Sequence, residues 1–390
     1  MKQIYLDHNA TTPVHPEVIE AMLPALSGIY GNASSVHTFG REAKVALETA
    51  REQVAAFINC DPSELYFTSG GTESDNIAVT GTARQYRDRK NHLVVGAAEH
   101  QAVLAPANRL STHENWQVEL MPVDDDGLSS SDKLRELVTD KTALVSIMHA
   151  NNETGVIQDI PALAAVAHEA GTLFHTDAVQ SIGKTRVDVA AMDCDMLSLT
   201  AHKIYGPKGI GALYIRQGVK IAPIMFGGSH EKRRRPGTEN VAGVVGLAKC
   251  LEIAQRQMDQ DWTHLTGLSD HFIDTLMGRL PDVRLNGSRS QRVPQTVNLS
   301  FAGVEGEAIL LSLDMEGIAC SSGSACSSGS TAPSHVLIAM GKDPVVSQSA
   351  IRFSMGRSTT KEQLDYVIEK LVATVERLRA MSPYYKRESA

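Results

Sequence analysis

Short apolar runs that end in small polar residues recur through the first two thirds of the chain, and stretches with helical spacing separate them. This alternation predicts an α/β protein with a mostly parallel sheet. Because ligands bind at the carboxyl ends of strands in such sheets, we expect the polar residues that follow each strand to converge. The predicted strands are Leu65–Thr68, Leu93–Gly96, Ala143–Met148, Leu173–His175, Met196–Leu199 and Ala212–Ile215.

The last third of the chain has a different pattern. A long polar helix is predicted from Val241 to Leu280, and it connects to a smaller C-terminal domain. In that domain Thr296–Phe301 and Ile351–Phe353 are predicted strands, and Lys361–Met381 has apolar residues at helical spacing. Serine and glycine dominate Cys320–Ser330, which predicts a flexible loop.

Composition narrows the function classes. The 390 residues, 42% of them hydrophobic, suffice for a large core, and the net charge of -8 gives no reason to expect direct nucleic-acid binding. No apolar run approaches the roughly 18 residues that span a bilayer, and the start, MKQIYLDHNATT, lacks the apolar core of a signal peptide. The five cysteines are odd in number and mostly far apart, which favours a reducing compartment over a disulfide framework. We therefore expect a cytoplasmic protein that makes no membrane contact.

A first candidate site follows the strand that ends at Thr68. In Ser69–Ser74, two glycines free the backbone, and Thr72 can cap a helix that begins near Glu73. Backbone N–H groups at a helix N-terminus, together with a hydroxyl, bind a phosphate monoester well. A simple strand-to-helix turn explains the same residues.

Two further strand ends carry chemistry. Asp177 is placed to keep a pyridinium nitrogen protonated, which makes a pyridoxal ring an electron sink, and Gln180 to donate to the ring's phenolic oxygen. An aspartate that caps a helix is the simpler alternative. Lys203 follows an apolar strand directly, where its amine can form a Schiff base with an aldehyde cofactor. Thr200 and His202 share one face of the extended chain and can hold the phosphate.

Lys208 is the rival candidate for the Schiff-base lysine, but it lies beyond Pro207 in the turn.

Together these strand-end segments resemble the cysteine desulfurase family, within the fold-type I pyridoxal-phosphate superfamily. The resemblance covers nearly the whole chain. Its motifs are YLDHNATT at Tyr5, FTSGGTESDN at Phe67, EHQAV at Glu99, HANNETG at His149, HTDAVQ at His175, SLTAHKIYGPKG at Ser198, RPGTEN at Arg235, CSSGSACSSGS at Cys320 and IRFSMGR at Ile351.

The resemblance implies a large domain at 15–257 with a mostly parallel sheet, and a small α+β domain from 1–14 and 258–390 that carries a catalytic cysteine. It implies that pyridoxal 5'-phosphate forms a Schiff base with Lys203. Thr238 from the neighbouring subunit completes the phosphate site, so the protein would be a homodimer. The positions that match the family's cofactor ligands are Gly71, Thr72, Asn152, Asp177, Gln180, Thr200, His202, Lys203 and Thr238.

The resemblance also implies the reaction, in which L-cysteine becomes L-alanine and its sulfur passes to Cys326 as a persulfide. Lys203 would move the Cα proton. His100 matches the histidine that stacks on the pyridine ring and transfers protons, and Asn152 and Arg352 match the residues that bind the substrate carboxylate. An acceptor protein, either an iron–sulfur scaffold or a thiolation enzyme, would then receive the sulfur.

The residues themselves support parts of this assignment. A cysteine in a Ser/Gly loop is exposed, as a mobile nucleophile must be, whereas we expect Cys320 to be a buried strand-end residue and no metal to bind the pair. The guanidinium of Arg352 fits an amino-acid carboxylate, although a surface salt bridge explains it equally simply. The basic run 230–235 resembles a nucleic-acid patch, and we interpret it as a loop at the dimer interface that positions Thr238.

Two departures from the best-known members of the family bear on the biological role of this protein. Thr200 stands where many relatives carry serine, which keeps the hydroxyl. The chain stops soon after Met381, without the long tail by which housekeeping members bind their scaffold, and this favours the nitrogen-fixation type or a specialised paralogue. Alternative functions on the same fold are an aminotransferase and a selenocysteine lyase. A further alternative is a sulfur-relay or scaffold-binding protein that keeps the fold without catalytic activity. Evidence against it is the joint presence of Lys203, Asp177, His100 and Cys326.

Overall fold

The computed structural model describes residues 3–322, 333–383 and 385. The strands are β1 (Ile4–Tyr5), β2 (Leu65–Thr68), β3 (His92–Gly96), β4 (Gln117–Met121), β5 (Thr142–Ser146), β6 (Leu173–Asp177), β7 (Met196–Thr200), β8 (Gly211–Ile215), β9 (Val283–Leu285), β10 (Thr296–Phe301), β11 (Ile318–Ala319), β12 (Ser321–Ser322) and β13 (Ala350–Ser354). The helices are α1 (Pro16–Ser27), α2 (Thr38–Ile58), α3 (Gly71–Tyr86), α4 (Gln101–Glu114), α5 (Ser131–Leu137), α6 (Ile160–Glu169), α7 (Val189–Met192), α8 (Val241–Arg279), α9 (Gly306–Met315), α10 (His335–Ala339), α11 (Pro344–Gln348) and α12 (Lys361–Met381).

The large sheet has the strand order β2-β8-β7-β6-β5-β3-β4 in the described part of the chain. Strands β3 to β7 run parallel, and β8 is antiparallel to both of its neighbours. The prediction of a mostly parallel sheet is therefore confirmed, and each predicted strand is present with ends shifted by no more than two residues. Strand β4 was missed because it is an edge strand whose side chains are mostly exposed, so it lacks the continuous apolar run of its neighbours.

Helices cover both faces of this sheet. Side chains alternate between faces along a strand, so Leu93 and Val95 pack in one apolar cluster with helices α3 and α4, while Val94 packs in another. The second cluster includes Leu47 of α2 and Leu247 of α8. With both faces covered, every strand of this sheet except β4 is largely buried, which explains why these strands are continuous apolar runs rather than alternating ones.

A separate apolar cluster surrounds the small sheet, whose order is β12-β13-β10-β9 with antiparallel pairing. The N-terminal strand pairs in parallel with β11, which places Ile4 and Leu6 in this cluster beside Phe353. The long predicted helix is confirmed as α8, and it joins the two cores: Leu251 lies in the large cluster and Phe272 in the small one. The domain boundaries at 15–257 and 258–390 stay a prediction.

The carboxyl ends of β2, β6 and β7 lie at one edge of the large sheet. The segments Ser69–Ser74, Asp177–Gln180 and Ala201–Lys203 leave the sheet there, as expected from the parallel topology. Every helix in the described residues is too short or too polar to cross a membrane.

Candidate active site

The segment after β2 forms an anion cradle at the start of α3. This helix begins at Gly71, and Gly70 is its N-cap with φ 155° and no side-chain cap. The expectation that Thr72 caps a helix starting near Glu73 is therefore wrong, because the helix begins earlier and Gly70 takes the N-cap position. Only glycine readily adopts the backbone conformation found at Gly70. A Cβ on Gly71 would lie 2.6 Å from Cγ2 of Val179. Because no described side chain caps α3, the backbone N–H groups of its first turn are left for an anion.

Thr200 and His202 border the same cleft, which has a volume of about 500 Å³ and is lined by Ala10, Thr11, Ser69, Gly70, Gly71, Thr72, Glu73, Thr200, His202, Lys208 and Gly209. Burial, with repulsion from nearby lysines, lowers the pKa of His202 to about 4, so the ring is neutral near pH 7. The Thr200 hydroxyl donates to the Ile210 carbonyl at 3.0 Å. It would have to exchange that bond before it donated to a phosphate.

Thr238 does not line this cleft. It is exposed in its own chain and is not among the residues that line the cavity beside Gly71 and His202. The same loop contains the basic run 230–235. In that run, Glu231 forms a buried ion pair with Arg51 of α2 at 2.7 Å, and it also accepts a hydrogen bond from the Phe67 N–H. Glu231 therefore ties this loop to the body of the protein, while Thr238 is exposed.

Asp177 ends β6 and is buried. One of its oxygens accepts from the Val179 N–H at 2.8 Å, and among the described residues no hydrogen bond to the other is found. The following segment is a series of turns, so Asp177 caps no α-helix there. Burial raises the pKa of Asp177, while the charges of His100 and Lys203 act in the opposite direction. A cation opposite the second oxygen would keep the carboxylate ionised.

A second buried carboxylate lies behind Asp177. Burial, reinforced by repulsion from Asp177, raises the pKa of Asp75 well above its usual range. Asp75 Oδ1 lies 3.6 Å from Nε2 of His175, whose ring nitrogens are bonded to the hydroxyls of Ser146 and Ser198. Burial lowers the pKa of His175 to about 3, so its ring is neutral at physiological pH.

Lys203 reaches from the turn after β7 into the centre of the site. Its Nζ donates to the carbonyls of Asn9 at 2.5 Å and Ala10 at 2.7 Å. Gln180 Nε2 donates to the same Asn9 carbonyl at 2.9 Å. The rival Lys208 is exposed at the wall of the phosphate cleft. The geometry therefore places Lys203, rather than Lys208, beside Gln180.

Arg352 lies on β13 of the small sheet, with its side chain only 4% exposed. Its Nη2 is 2.8 Å from Asp7 Oδ1, and its Nη1 donates to the Asn152 carbonyl at 3.1 Å. The Asn9 side chain donates to that same carbonyl. The surface salt bridge considered for Arg352 is thus excluded, because the pair is largely buried and adjoins Asn9 and Asn152.

His100 is the N-cap of α4, and its Nδ1 accepts from the Ala102 N–H at 3.1 Å. Since Nδ1 accepts, the neutral ring carries its proton on Nε2. Near it, burial raises the pKa of Glu153 to about 7, and Ser334 Oγ donates to the Glu153 carboxylate at 2.5 Å. Glu153 is therefore poised to titrate near neutral pH.

Of the two loop cysteines, Cys326 lies outside the described residues. Burial raises the pKa of the Cys320 thiol to about 12, so this thiol is protonated at physiological pH. Cys320 lies between β11 and β12, as expected for a strand-end residue, but the residue is half-buried rather than fully buried. In the described residues, no cluster of three His, Cys, Asp or Glu side chains suits a metal ion.

The described residues fit pyridoxal phosphate. The cradle at Gly70 and Gly71 suits its phosphate, Asp177 suits its ring nitrogen, and Lys203 supplies the amine. The buried Asn152 Oδ1 has no hydrogen-bond partner among the described residues, which is the sign of a polar group that awaits a ligand.

Several residues of the site escaped the sequence reasoning. Asp7 and Asn9 lie within the quoted motif YLDHNATT, and Glu153 within HANNETG, yet no role followed from those motifs. Asp75 and Lys184 were likewise passed over. The sequence signal for these residues was a charged or amide group within an apolar segment. That signal did not reveal their roles, because the groups they contact are far away in sequence.

Comparisons with known proteins agree with this geometry. The family model described as aminotransferase class-V matches residues 4–367. The chain is 48% identical over 383 residues to the cysteine desulfurase IscS of Dictyoglomus turgidum, covering 98% of this chain and 97% of that protein. It is 47% identical over 389 residues to a cysteine desulfurase of Trichormus azollae, covering 100% and 97%. A solved NifS-like protein superposes with a TM-score of 0.90 at 36% identity, covering 96% of this chain and 100% of that one.

Proposed function

Since this chain belongs to the class-V aminotransferase family and is a pyridoxal-phosphate-dependent cysteine desulfurase, we propose that it converts L-cysteine to L-alanine and transfers the sulfur to Cys326 as a persulfide. The observation that carries the site assignment is the link between Lys203 and Arg352. Lys203 donates to the Asn9 carbonyl, and the Asn9 side chain and Arg352 both donate to the Asn152 carbonyl. One site thus holds an amine for an aldehyde and a guanidinium for an α-carboxylate.

When bound, pyridoxal phosphate supplies an aldehyde for the substrate amine and a ring that withdraws electrons from Cα. The cradle of Gly71 and Thr72, with His202 and Thr200, would hold its phosphate, and Asp177 its ring nitrogen. Gln180 would donate to its phenolic oxygen. Asn152 would border both this group and the substrate.

The chain's own residues then handle the substrate. Arg352 holds the cysteine carboxylate by charge-assisted hydrogen bonds, which fixes Cα near Lys203. The Lys203 amine removes the Cα proton. His100, with its proton on Nε2 and its Nδ1 held by the Ala102 N–H, donates a hydrogen bond from Nε2 to the substrate sulfur as the sulfur becomes negative.

Sulfur transfer is assigned to the thiolate of Cys326. It attacks the substrate sulfur, so that a new S–S bond forms as the Cβ–S bond breaks, and protonation of the carbon skeleton yields alanine. The two electrons of the broken bond stay with carbon, so no external oxidant is needed. The support for Cys326 is its Ser/Gly sequence context and the high pKa of Cys320, which makes that nearby thiol a poor nucleophile.

Turnover of L-cysteine by the purified, cofactor-loaded protein tests this function. We expect alanine and protein-bound sulfur in equal initial amounts, without any added keto acid. Formation of a keto acid from cysteine, with the amino group left on the protein, would indicate an aminotransferase instead. Activity with selenocysteine alone would indicate a selenocysteine lyase.

A homodimer with shared sites is part of the proposal, with Thr238 completing the phosphate site of the partner. Its support is that Thr238 is exposed and does not line the cleft of its own chain. A hybrid dimer of one Lys203→Ala subunit and one Thr238→Ala subunit tests this. If Thr238 acts across the interface, the intact Lys203 meets the intact Thr238, and that site binds cofactor normally. Weakened cofactor binding in the hybrid would place Thr238 in the site of its own chain.

We assign the acceptor of the sulfur to a protein of iron–sulfur cluster assembly or of thiolation, in the cytoplasm. The described cysteines, Cys60, Cys194, Cys250 and Cys320, are all free thiols, as suits a reducing compartment. Proteins that co-purify with the chain and take up its persulfide sulfur would identify the acceptor. Capture of neither kind of acceptor would contradict this assignment.

A further inference from the structure

A second lysine lies against the cofactor site. Lys184 Nζ donates to Gln180 Oε1 at 2.7 Å, and Gln180 Nε2 donates to the Asn9 carbonyl, which also accepts from Lys203. Lys184 and Lys203 line the same cavity of about 40 Å³, together with His8. The two amines are therefore joined through Gln180 and Asn9, and they border one small cavity.

While Lys184 is protonated, the contacts of Gln180 allow its amide to point one way only. An ammonium group can donate but not accept, whereas a backbone carbonyl can accept but not donate. With Lys184 on one side and the Asn9 carbonyl on the other, the Gln180 oxygen must face Lys184 and its nitrogen must face Asn9. The second N–H of Nε2 is then left for an acceptor in the site. A neutral Lys184 amine could accept as well as donate, and this constraint would disappear.

The charges around Lys184 are mostly positive. Burial lowers the pKa of Lys184 to about 7, and repulsion from Lys203 and Arg352 adds to this effect. The carboxylate on the same cavity, Asp261, is bonded to Arg357 at 2.6 Å. Other titratable groups near Lys184 are His8 and Tyr205, which line the same cavity, and His202; the charge of Lys184 lowers the pKa of both histidines.

We propose that Lys184 is a positioning residue that orients the Gln180 amide and supplies the cationic field that disfavours protonation at Lys203. This role rests on the proposed function, because it concerns the group that Lys203 and Gln180 would hold. A cation near Lys203 lowers the fraction of protonated amine and so keeps more of it competent as a base. Lys184 acts through Gln180 and through its charge, without touching the reacting atoms.

The test is a pH titration of the visible absorbance of the cofactor-loaded protein. Lys184→Met removes the charge and the donor while it keeps much of the apolar stem, and Lys184→Arg retains both charge and donor. Lys133→Met is the matched control, because Lys133 is an exposed lysine on α5. We expect Lys184→Met to raise the pKa of the absorbance change by about one unit, from loss of one nearby charge. Lys184→Arg and Lys133→Met should leave it unchanged.

The acid limb of the pH profile of kcat/KM for cysteine should move upward by a similar amount in Lys184→Met. An unchanged titration in Lys184→Met, or an equal shift in Lys184→Arg, would overturn the role of Lys184. The absorbance titration reports on bound cofactor alone, so it distinguishes the two proposals. Failure to make alanine from cysteine with a normal titration shift would contradict the proposed function and leave the Lys184 assignment intact.

Discussion

Asp7 Oδ1 lies 2.8 Å from Nη2 of Arg352, so a carboxylate that follows the N-terminal strand holds the guanidinium of the small sheet beside the large-domain site. The Arg352 side chain is 4% exposed and that of Asp7 21% exposed. An arginine this buried needs a fixed partner, and the contact restricts Arg352 to the orientation in which Nη1 meets the Asn152 carbonyl. The N-terminal motif thus acts on the substrate end of the site.

We predict that Arg352→Ala weakens cysteine binding far more than cofactor binding. Loss of a charge-assisted hydrogen bond costs about 1.5 to 3 kcal/mol, or roughly a 10- to 150-fold rise in the dissociation constant for cysteine. Binding constants for cysteine and for pyridoxal phosphate, measured separately, check this. Asp7→Asn keeps the Arg352 guanidinium but removes the carboxylate that holds it, so it should give a smaller rise in the dissociation constant for cysteine. Equal losses of cofactor and substrate affinity would indicate structural damage instead.

Lys203→Ala should abolish covalent attachment of the cofactor. Lys203 donates to the Asn9 and Ala10 carbonyls inside the site, whereas Lys208 is exposed at the cleft wall. Borohydride reduction of the unaltered protein followed by peptide mapping should place the label on Lys203. Lys208→Ala is the control and should retain the yellow colour, while a label on Lys208 would overturn the assignment.

Replacement of Cys326 by serine should separate substrate binding from sulfur transfer. Cysteine should still bind and perturb the cofactor spectrum, since those steps depend on Lys203 and Arg352, but alanine production should collapse. In the unaltered protein, peptide mass after exposure to cysteine without reductant should show one added sulfur on Cys326.

Cys320→Ser is the matched control, because burial raises the pKa of Cys320 to about 12 and keeps its thiol unreactive. It should retain most of the activity. Normal alanine production by the Cys326→Ser protein, or sulfur found only on Cys320, would show that the assigned mechanism is wrong.

Glu153 should make stability depend on pH. Burial raises its pKa from 4.5 to about 7, so the folded protein binds this proton more tightly than the unfolded chain does. Its contribution is fully present below pH 4.5 and is lost as the pH rises through about 7. Glu153→Gln should therefore gain about 3 kcal/mol in the free energy of unfolding, relative to the unaltered protein, between those pH values.

Denaturant titrations from pH 4.5 to pH 8 check this difference. Glu136→Gln, at a side chain 65% exposed, is the control and should show no such trend. A difference between Glu153→Gln and the unaltered protein that stays constant over this range would contradict the prediction.

The sequence by itself determined the elements and much of the chemistry. Strands buried on both faces are continuous apolar runs, and α8 and α12 show their helical spacing plainly, so local pattern sufficed for them. The motifs around Lys203 and Asp177 are local too, since each places its functional residue at a strand end. Edge strand β4 was lost because exposure on an edge removes the apolar signal.

Only the tertiary structure decided which distant groups meet. Asp7 and Arg352 are separated by 345 residues, and Asn9 and Lys203 by 194, so no local pattern could pair them. The burial that shifts the pKa values of Asp75, Lys184 and Glu153 is likewise a property of the packed chain. A lysine or a glutamate reads as a solvated charge in the sequence, and it becomes a perturbed acid or base only when folding removes water and brings other charges beside it.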